Sequence, residues 1–166
     1  MTVHPLATRL VDDGVTLVAS LPDSWLTPLI DSLDEFEGVR HVRVTREDEG
    51  VALVAGASLG GDRAVLICQN AGLLLSANAL AGYGSQHGLP VPVIAAYRGG
   101  SDDGFYYQAY KGRATVGVLD AIDVPHFVVD DPESVLDAAR VVDMAMLHRR
   151  PAVALMTRAA LLGGRS

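Results

Sequence analysis

The chain has 166 residues, of which 49% are hydrophobic and 20% are charged. This length suits a single domain rather than a two-domain enzyme, and the apolar content excludes an intrinsically disordered chain. Thirteen basic and 20 acidic side chains give a formal net charge of −7 at pH 7, which argues against nucleic acid as a partner. The mean hydropathy of +0.26 is high for a soluble domain, and it predicts that part of the apolar surface forms an interface.

No apolar run reaches the roughly 18 to 20 residues that span a bilayer, and the first residues lack the pattern of a signal peptide. We therefore expect a cytoplasmic protein with no membrane partner. The single cysteine, Cys68, lies in an apolar run and is interpreted as a buried hydrophobic residue. The five histidines have no metal-ligand spacing, so no metal site is expected on this chain. The GxxxxGK[ST] and GxGxxG patterns of nucleotide-binding sites do not occur.

Short β-branched runs alternate with longer helical patterns, which predicts βαβ units and a parallel sheet. In chain order we predict a helix over 6–12, a strand over 16–20, a helix over 22–33, a strand over 41–44, a helix over 47–59, a strand over 64–68, a helix over 73–83, a strand over 92–96, a helix through Val116, Leu119 and Ile122, a strand over 126–129, a helix over 132–147 and a strand over 152–156. The predicted fold is α/β, a three-layer α/β/α domain over residues 1–166 with a six-stranded, mostly parallel sheet.

Residues 97–113 form a glycine-rich, aromatic stretch of seventeen residues with no clear periodicity. A loop of this length is unusual in a compact domain and favours a functional role.

Ligands of open α/β sheets bind beyond the carboxyl ends of the strands. The segments that follow the first four strands are therefore the candidates for a site: Leu21–Ser24, Thr45–Gly50, Gln69–Gly72 and Tyr97–Gly100. Each also has a purely structural interpretation. Thr45 would be an N-cap with Asp48 reaching back to it, Asp23 and Ser24 would be helix caps, and Gln69–Gly72 would be a turn.

Four segments in consistent order carry a family resemblance: LPDSWLTPLID, REDEGVALVAGASLGG, AVLICQNAGLLLSANALAGYGSQHGLPVPVIAAYRGG and QAYKGRATVGVLDAIDVP. Together they resemble the pyrimidine-binding domain of thiamine-diphosphate enzymes. More narrowly, they are similar to the α subunit of sulfopyruvate decarboxylase and to the matching half of phosphonopyruvate decarboxylase, over about Val15 to Met156.

The resemblance implies a catalytic glutamate in the first turn of a helix, nine residues before a glycine. Glu47 and Gly56 have this spacing, so Glu47 takes the catalytic position. Its carboxyl group would share a proton with N1′ of the aminopyrimidine, which prepares the cofactor for attack on a 2-oxo acid.

The family resemblance also implies roles for further residues around this glutamate. The cofactor-binding turn would consist of Gln69, Asn70, Ala71 and Gly72, and Asn78 matches an asparagine in the next helix. Polar residues at the substrate end would be Asp23, Ser24, Arg98 and Gln108, in a proton relay or in anion binding. His87 is interpreted as part of the scaffold. The family commonly has a smaller and a polar residue where this chain has Leu74 and Leu75, which leaves the substrate open.

Family members hold the diphosphate and Mg²⁺ with a GDG…N motif on a second domain, and this chain has no such motif. The resemblance therefore implies thiamine diphosphate as cofactor, Mg²⁺ bound by a separate β subunit, and an α₂β₂ or larger assembly. The expected function is the α subunit of a decarboxylase of small 2-oxo acids. The alternatives are a carboligase subunit, a non-catalytic scaffold or regulatory homologue, and a flavodoxin-like binding module.

Overall fold

The computed structural model describes residues 3–163. Its regular elements are α1 Pro5–Asp12, β1 Leu17–Ser20, α2 Thr27–Leu33, β2 Arg40–Arg43, α3 Glu47–Leu59, β3 Ala64–Gln69, α4 Asn70–Leu75, α5 Ala77–Ala79, a π-helix Leu80–Gln86, β4 Val91–Ala96, a 3₁₀-helix Tyr106–Gln108, α6 Ala109–Ala121, β5 His126–Val129, a 3₁₀-helix Pro132–Ala139, α7 Arg140–His148, β6 Pro151–Met156 and α8 Arg158–Leu162.

The six strands form one sheet in the order β2-β1-β3-β4-β6-β5, and every adjacent pair is parallel. Strands β1, β4 and β6 are buried along their whole length, whereas the edge strands β2 and β5 are largely accessible. Fully buried parallel strands read as continuous apolar runs rather than as alternating ones, which is why their sequence pattern was recognisable. The predicted six-stranded α/β fold is confirmed.

Side chains that alternate along the strands belong to two separate cores, one on each face of the sheet. In β3, Val65 and Ile67 pack with α1, α2 and α7, while Leu66 and Cys68 pack with α3 and α6. This alternation follows from the two-residue period of a strand. The sheet is therefore the middle layer of three.

The predicted helix over 22–33 begins later, at Thr27. A tight turn follows β1, in which the Asp23 carboxylate accepts a hydrogen bond from Trp25 N and the Asp23 carbonyl accepts one from Leu26 N, both at 2.9 Å. Pro28 then lies in the first helical turn, where its missing N–H has no intrahelical partner to lose.

The predicted helix over 73–83 begins earlier, at Asn70, immediately after β3. It continues as three segments to Gln86, with an interruption at Ser76 and a π-helix at the end. Within the π-helix, Gly84 lies directly against Pro151 at the start of β6, so that a Cβ there would overlap the proline ring. The close approach accounts for a glycine inside a helix.

The loop predicted over 97–113 is shorter, because a 3₁₀-helix leads into α6 at Ala109. Glycine in a helix interior weakens the helical pattern of the sequence, yet Gly112 is required inside α6. A Cβ at Gly112 would lie 2.7 Å from the carbonyl oxygen of Gly99, and a Cβ at Gly99 would lie 2.8 Å from Gly112 N. This backbone contact fastens the loop after β4 to α6.

Two differences occur in the last third of the chain. The predicted helix over 132–147 consists of a 3₁₀-helix followed by α7. The short helix α8 was not predicted; its first turn is capped by Thr157, and its five residues are too few to show a periodic pattern.

Within residues 3–163, no helix combines the length and the apolar character that crossing a membrane requires.

The Gly84 contact gives a matched test of the fold. Gly84→Ala places a methyl group against the Pro151 ring and should lower the free energy of unfolding by about 1–3 kcal/mol. In Gly82→Ala the added Cβ meets no atom within 4 Å, so stability should be unchanged or slightly higher. Urea denaturation of both variants checks this, and equal stability of the two would contradict the packing described.

Candidate functional site

The carboxyl ends of β2, β1, β3 and β4 are adjacent in the sheet, so the segments that follow these strands lie at one edge. Specific contacts join them. The side chain of Gln69 donates to Asp23 at 2.8 Å, and the side chain of Asn70 donates to the backbone carbonyl of Arg98 at 3.0 Å. The sequence prediction that these segments meet at one edge is correct.

Glu47 is the first residue of α3 and is 9% exposed. Its side chain lies on the backbone of Gly72, where a Cβ would overlap Glu47 Cγ and lie 2.8 Å from Oε1. Gly50, one turn further along α3, allows the helix to approach Leu66 of β3; a Cβ there would lie 2.7 Å from Leu66 Cδ1. Two glycines thus let a carboxylate sit in a narrow space at the positive end of a helix, where negative charge is favoured.

The two neighbouring acidic residues of α3 are engaged elsewhere. Asp48 binds Arg46 at 2.9 Å, and this hydrogen bond lowers the pKa of the Asp48 carboxyl. Glu49 accepts hydrogen bonds from the backbone N and the hydroxyl of Thr45, both at 3.1 Å. Among the described residues, no hydrogen bond reaches the Glu47 carboxylate, so it is the acidic group of this turn that stays free.

The interpretation of Thr45 as N-cap with Asp48 reaching back is wrong. The helix begins at Glu47, which puts Arg46 in the N-cap position without a side-chain cap. Glu49, rather than Asp48, reaches back to Thr45, because the later helix start moves the third helical position from Asp48 to Glu49.

A polar chain connects three elements at the same edge. Asp23 accepts from Gln69 Nε2 at 2.8 Å, and Gln69 Oε1 accepts from Lys111 Nζ at 3.3 Å. Asp23 is buried, whereas Gln69 and Lys111 are half-buried. The chain therefore runs from an enclosed carboxylate to a partly accessible ammonium group.

The side chain of Arg98 is enclosed next to Asp23, at the buried end of these hydrogen-bonded residues. Its side chain is 4% exposed, and Nε lies 3.7 Å from Asp23 Oδ2 and 3.5 Å from Asp103 Oδ2. The guanidinium lies 4.0 Å above the ring of Trp25, a cation–π arrangement. Nε and Nη1 have no hydrogen-bond partner in the structure. The residue predicted as a substrate ligand thus sits between two carboxylates of its own chain.

Asn70 is fully buried and holds the loop after β4 in place. Its Nδ2 donates to Arg98 O and to Thr115 Oγ1, both at 3.0 Å, and its Oδ1 accepts from Arg98 N at 3.3 Å. Gln108 is also buried, and its Oε1 has no partner among the described residues. Both residues were predicted at the site, and their side chains lie inside the domain beneath it.

The other residues that the sequence analysis singled out are more exposed to solvent than Arg98, Asn70 and Gln108. Ser24 is exposed and Ala71 is half-buried. Asn78 and His87 are exposed and line a cavity of about 570 Å³ together with Thr45 and Tyr83. Leu74 is half-buried, and Leu75 is 49% exposed.

Sequence reasoning missed Lys111 and Asp103. Lys111 was detectable, since it is the one lysine among the 13 basic residues and lies in the QAYKGR segment. Asp103, whose side chain is 1% exposed, gave no signal, because two adjacent aspartates in a glycine-rich loop ordinarily face solvent.

Cys68 ends the apolar run of β3 near the same carboxylates. Burial raises the pKa of the Cys68 thiol, and the charges of Glu47 and Asp23 add to the shift. The enclosed thiol therefore favours its protonated form, which agrees with the interpretation of Cys68 as a buried hydrophobic residue.

A further polar chain, also missed, joins β1 and β2. His41 contacts Ser20 Oγ at 2.7 Å through Nε2 and Asp34 Oδ1 at 2.6 Å through Nδ1. Burial opposes ionisation of Asp34, but hydrogen bonds from Arg43 and His41 lower the pKa of its carboxyl. Ser20 is 0% exposed, so this serine cannot meet a substrate, and these hydrogen bonds hold β1 and β2 together.

In residues 3–163, no group of three or more His, Cys, Asp or Glu side chains is placed to hold a metal ion.

Comparison with known proteins agrees with this fold. The family model "Thiamine pyrophosphate enzyme, N-terminal TPP binding domain" matches residues 2–124. The chain therefore belongs to the thiamine pyrophosphate enzyme family, and the resemblance found in the sequence is confirmed.

Three curated relatives show more specifically which enzymes of the family this chain is similar to. Sulfopyruvate decarboxylase subunit alpha of Methanothermobacter thermautotrophicus is 30% identical over 87% of this chain and 88% of its own. The subunit of the same name from Methanococcus maripaludis is 32% identical over 75% and 74%. Phosphonopyruvate decarboxylase of Streptomyces viridochromogenes is 35% identical over 87% of this chain, but over only 37% of its own length. The relatives thus include both separate subunits and longer single chains.

Two solved structures share the fold. A 2-oxoglutarate:ferredoxin oxidoreductase from Magnetococcus marinus superimposes with a TM-score of 0.76 at 17% identity, over 94% of this chain and 28% of that chain. A structure from Mycobacterium smegmatis, assigned to the thiamin diphosphate-dependent enzymes, superimposes with a TM-score of 0.75 at 21% identity, over 97% and 31%.

The burial of Arg98 yields a stability prediction. Arg98→Met leaves the enclosed carboxylates of Asp23 and Asp103 without their cation and should lower the free energy of unfolding by about 3–5 kcal/mol. Arg46→Met removes an exposed pair with Asp48 and should leave the denaturation midpoint unchanged. Thermal and urea unfolding of the two variants test this; similar midpoints would mean that Arg98 is not the compensating charge.

Proposed function

We propose that this chain is the α-type subunit of a two-chain, thiamine-diphosphate-dependent decarboxylase of small 2-oxo acids. In this proposal Glu47 is the carboxylate that activates the aminopyrimidine of the cofactor. The observation that carries the proposal is the position of Glu47, which is buried against Gly72 and free of hydrogen bonds while both neighbouring acids are paired.

The residues present fit the cofactor. Gly72, which has no side chain, leaves the space that Glu47 itself occupies. The Glu47 carboxylate has no hydrogen-bond partner in the described residues, so it is available to share a proton with the ring nitrogen of a heterocycle bound against it. Burial makes this charge-assisted hydrogen bond stronger than it would be in water. Bound thiamine diphosphate supplies an electron sink for the electron pair that remains when carbon dioxide leaves. The Glu47 carboxylate would hold the shared proton, and the contact with Gly72 fixes the position of the Glu47 side chain.

We assign the hydrogen-bonded residues Asp23, Gln69 and Lys111 to the substrate end of the site. Lys111 is half-buried and contacts Gln69 at 3.3 Å, so its ammonium group can meet a substrate carboxylate. Arg98 already has two carboxylates beside it, and we assign it to positioning: it holds Asp23 in place, and Asp23 orients the Gln69 amide. Asp23 and Ser24 lie in the turn after β1, where a substrate would enter in this proposal.

The cofactor requires a second polypeptide in this proposal. The relatives named as subunits alpha match this chain over most of their length, whereas the single-chain relatives are much longer. A separate β subunit would carry the diphosphate and Mg²⁺ site, and the complex would be α₂β₂ or larger by symmetry.

Glu47→Gln tests the catalytic assignment in the complex with the β subunit. The amide keeps the shape but cannot take the proton, so hydrogen–deuterium exchange at C2 of bound thiamine diphosphate, followed by NMR, should slow by about 10²–10⁴-fold. Carbon dioxide release from sulfopyruvate, phosphonopyruvate or pyruvate should fall in parallel. The control is Glu49→Gln, whose amide oxygen can still accept from Thr45. Exchange that is unchanged by Glu47→Gln would overturn the assignment.

Gly72→Ala tests the contact between Gly72 and Glu47 without altering the carboxylate. The added methyl group must displace Glu47, so the affinity of the complex for thiamine diphosphate, measured by titration calorimetry, should drop by at least about tenfold, which is 1.4 kcal/mol. Gly56→Ala adds a Cβ with no atom within 4 Å and should bind the cofactor as the unaltered chain does. Equal affinities of the two variants would show that Gly72 does not set the position of Glu47.

A further inference from the structure

Exposed aromatic side chains are concentrated in one short stretch, residues 105–110, which we name the aromatic segment. The chain has three Phe, five Tyr and one Trp, and four of these residues fall within these six positions. Phe105, Tyr106, Tyr107 and Tyr110 are 50%, 91%, 51% and 57% exposed. Aromatic residues, tyrosine above all, are enriched at protein interfaces and in their binding hot spots.

The aromatic segment is held in a defined shape. Phe105 and Tyr107 have ring centroids 5.4 Å apart, and Tyr106 meets Tyr107 edge-on at 5.9 Å. The 3₁₀-helix within the segment leads directly into α6, and the contact between Gly99 and Gly112 fixes the backbone on both sides. The rings therefore form a preorganised surface, which lowers the ordering cost of binding.

The charge of the aromatic segment and of the three residues that follow it differs from that of the whole chain, while the exposed Asp102 and the enclosed Asp103 precede the segment. Residues 105–113 include Lys111 and Arg113 and no acidic residue, although the chain carries a net charge of −7. Such a surface fits a partner that presents an apolar patch with acidic groups at its border.

The aromatic segment lies at the same edge of the sheet as the candidate site. It begins at residue 105, after the loop that follows the end of β4 at Ala96, and the Phe105 ring lies 5.8 Å from the Arg98 guanidinium. In the single-chain phosphonopyruvate decarboxylase of Streptomyces viridochromogenes and the single-chain sulfopyruvate decarboxylase of Methanosarcina acetivorans, this chain corresponds to 37% of the length. In the proposed function the remaining polypeptide is a separate β subunit that completes the cofactor site beside Glu47, so it has to bind at this edge through non-covalent contacts.

We infer that the aromatic segment is the docking surface for the β-type polypeptide that corresponds to the rest of those single chains. The inference rests on the proposed function and adds the surface through which the two chains associate. Tyr106 and Tyr107 are the anchoring residues, because they combine high exposure with mutual packing. Lys111 and Arg113 contribute charge at the border.

The test uses the full chain co-expressed with the protein of the same organism that resembles the remaining part of the single-chain relatives. Tyr106→Ser combined with Tyr107→Ser should weaken the association by at least about thirtyfold, measured by calorimetry and by light scattering after size exclusion. The matched control is Leu147→Ser, which removes a 79% exposed apolar side chain on α7, away from the segment, and should leave the association unchanged. Circular dichroism melting confirms that the variants fold.

Association of the double variant at the affinity of the unaltered chain would overturn the inference. So would normal association with a raised KM, since the rings would then line the substrate pocket instead. Thiamine diphosphate binding by the unaltered complex is measured separately. A complex that depends on Tyr106 and Tyr107 but binds no cofactor would support the docking surface and overturn the proposed function.

Discussion

The contact between the Glu47 side chain and the backbone of Gly72 is the constraint on which the arrangement of the site depends. For the carboxylate to reach this position, α3 must begin at residue 47 and pack tightly on β3, which Gly50 permits. Gly72 must lie in the first turn of α4, which it does because Asn70 begins that helix directly after the strand. Strand, helix start and two glycines therefore act together to keep one acid enclosed.

The second organising element is the set of enclosed charges around Arg98. A guanidinium between two carboxylates is stable in a low-dielectric interior only when its partners stay in place. Asn70 holds the backbone of Arg98, and the glycine contact with α6 holds the loop that carries Asp103. The hydrogen-bonded residues from Asp23 to Lys111 start from this fixed point, which couples the proposed substrate end of the site to the packing of β4 and α6.

Continuous apolar runs predicted the buried strands, and the alternation of short β-branched runs with longer helical patterns predicted all six strands and their parallel arrangement. These patterns could not distinguish among Glu47, Asp48 and Glu49, since all three occupy the first turn of a helix, where acids are generally favoured. Family spacing singled out Glu47, and the structure adds the physical difference that its neighbours are paired. Asp103 and the burial of Arg98 show the opposite limit, because enclosure and pairing between residues of different loops produce no local sequence pattern.

The direct junction between β3 and α4 constrains how the gene can change. One residue inserted between Gln69 and Asn70 would turn every position of α4 by about 100° around the helix axis. A residue bearing a side chain would then face Glu47 in place of Gly72. The number of residues at this junction is therefore set by the position that Gly72 has to take beside Glu47.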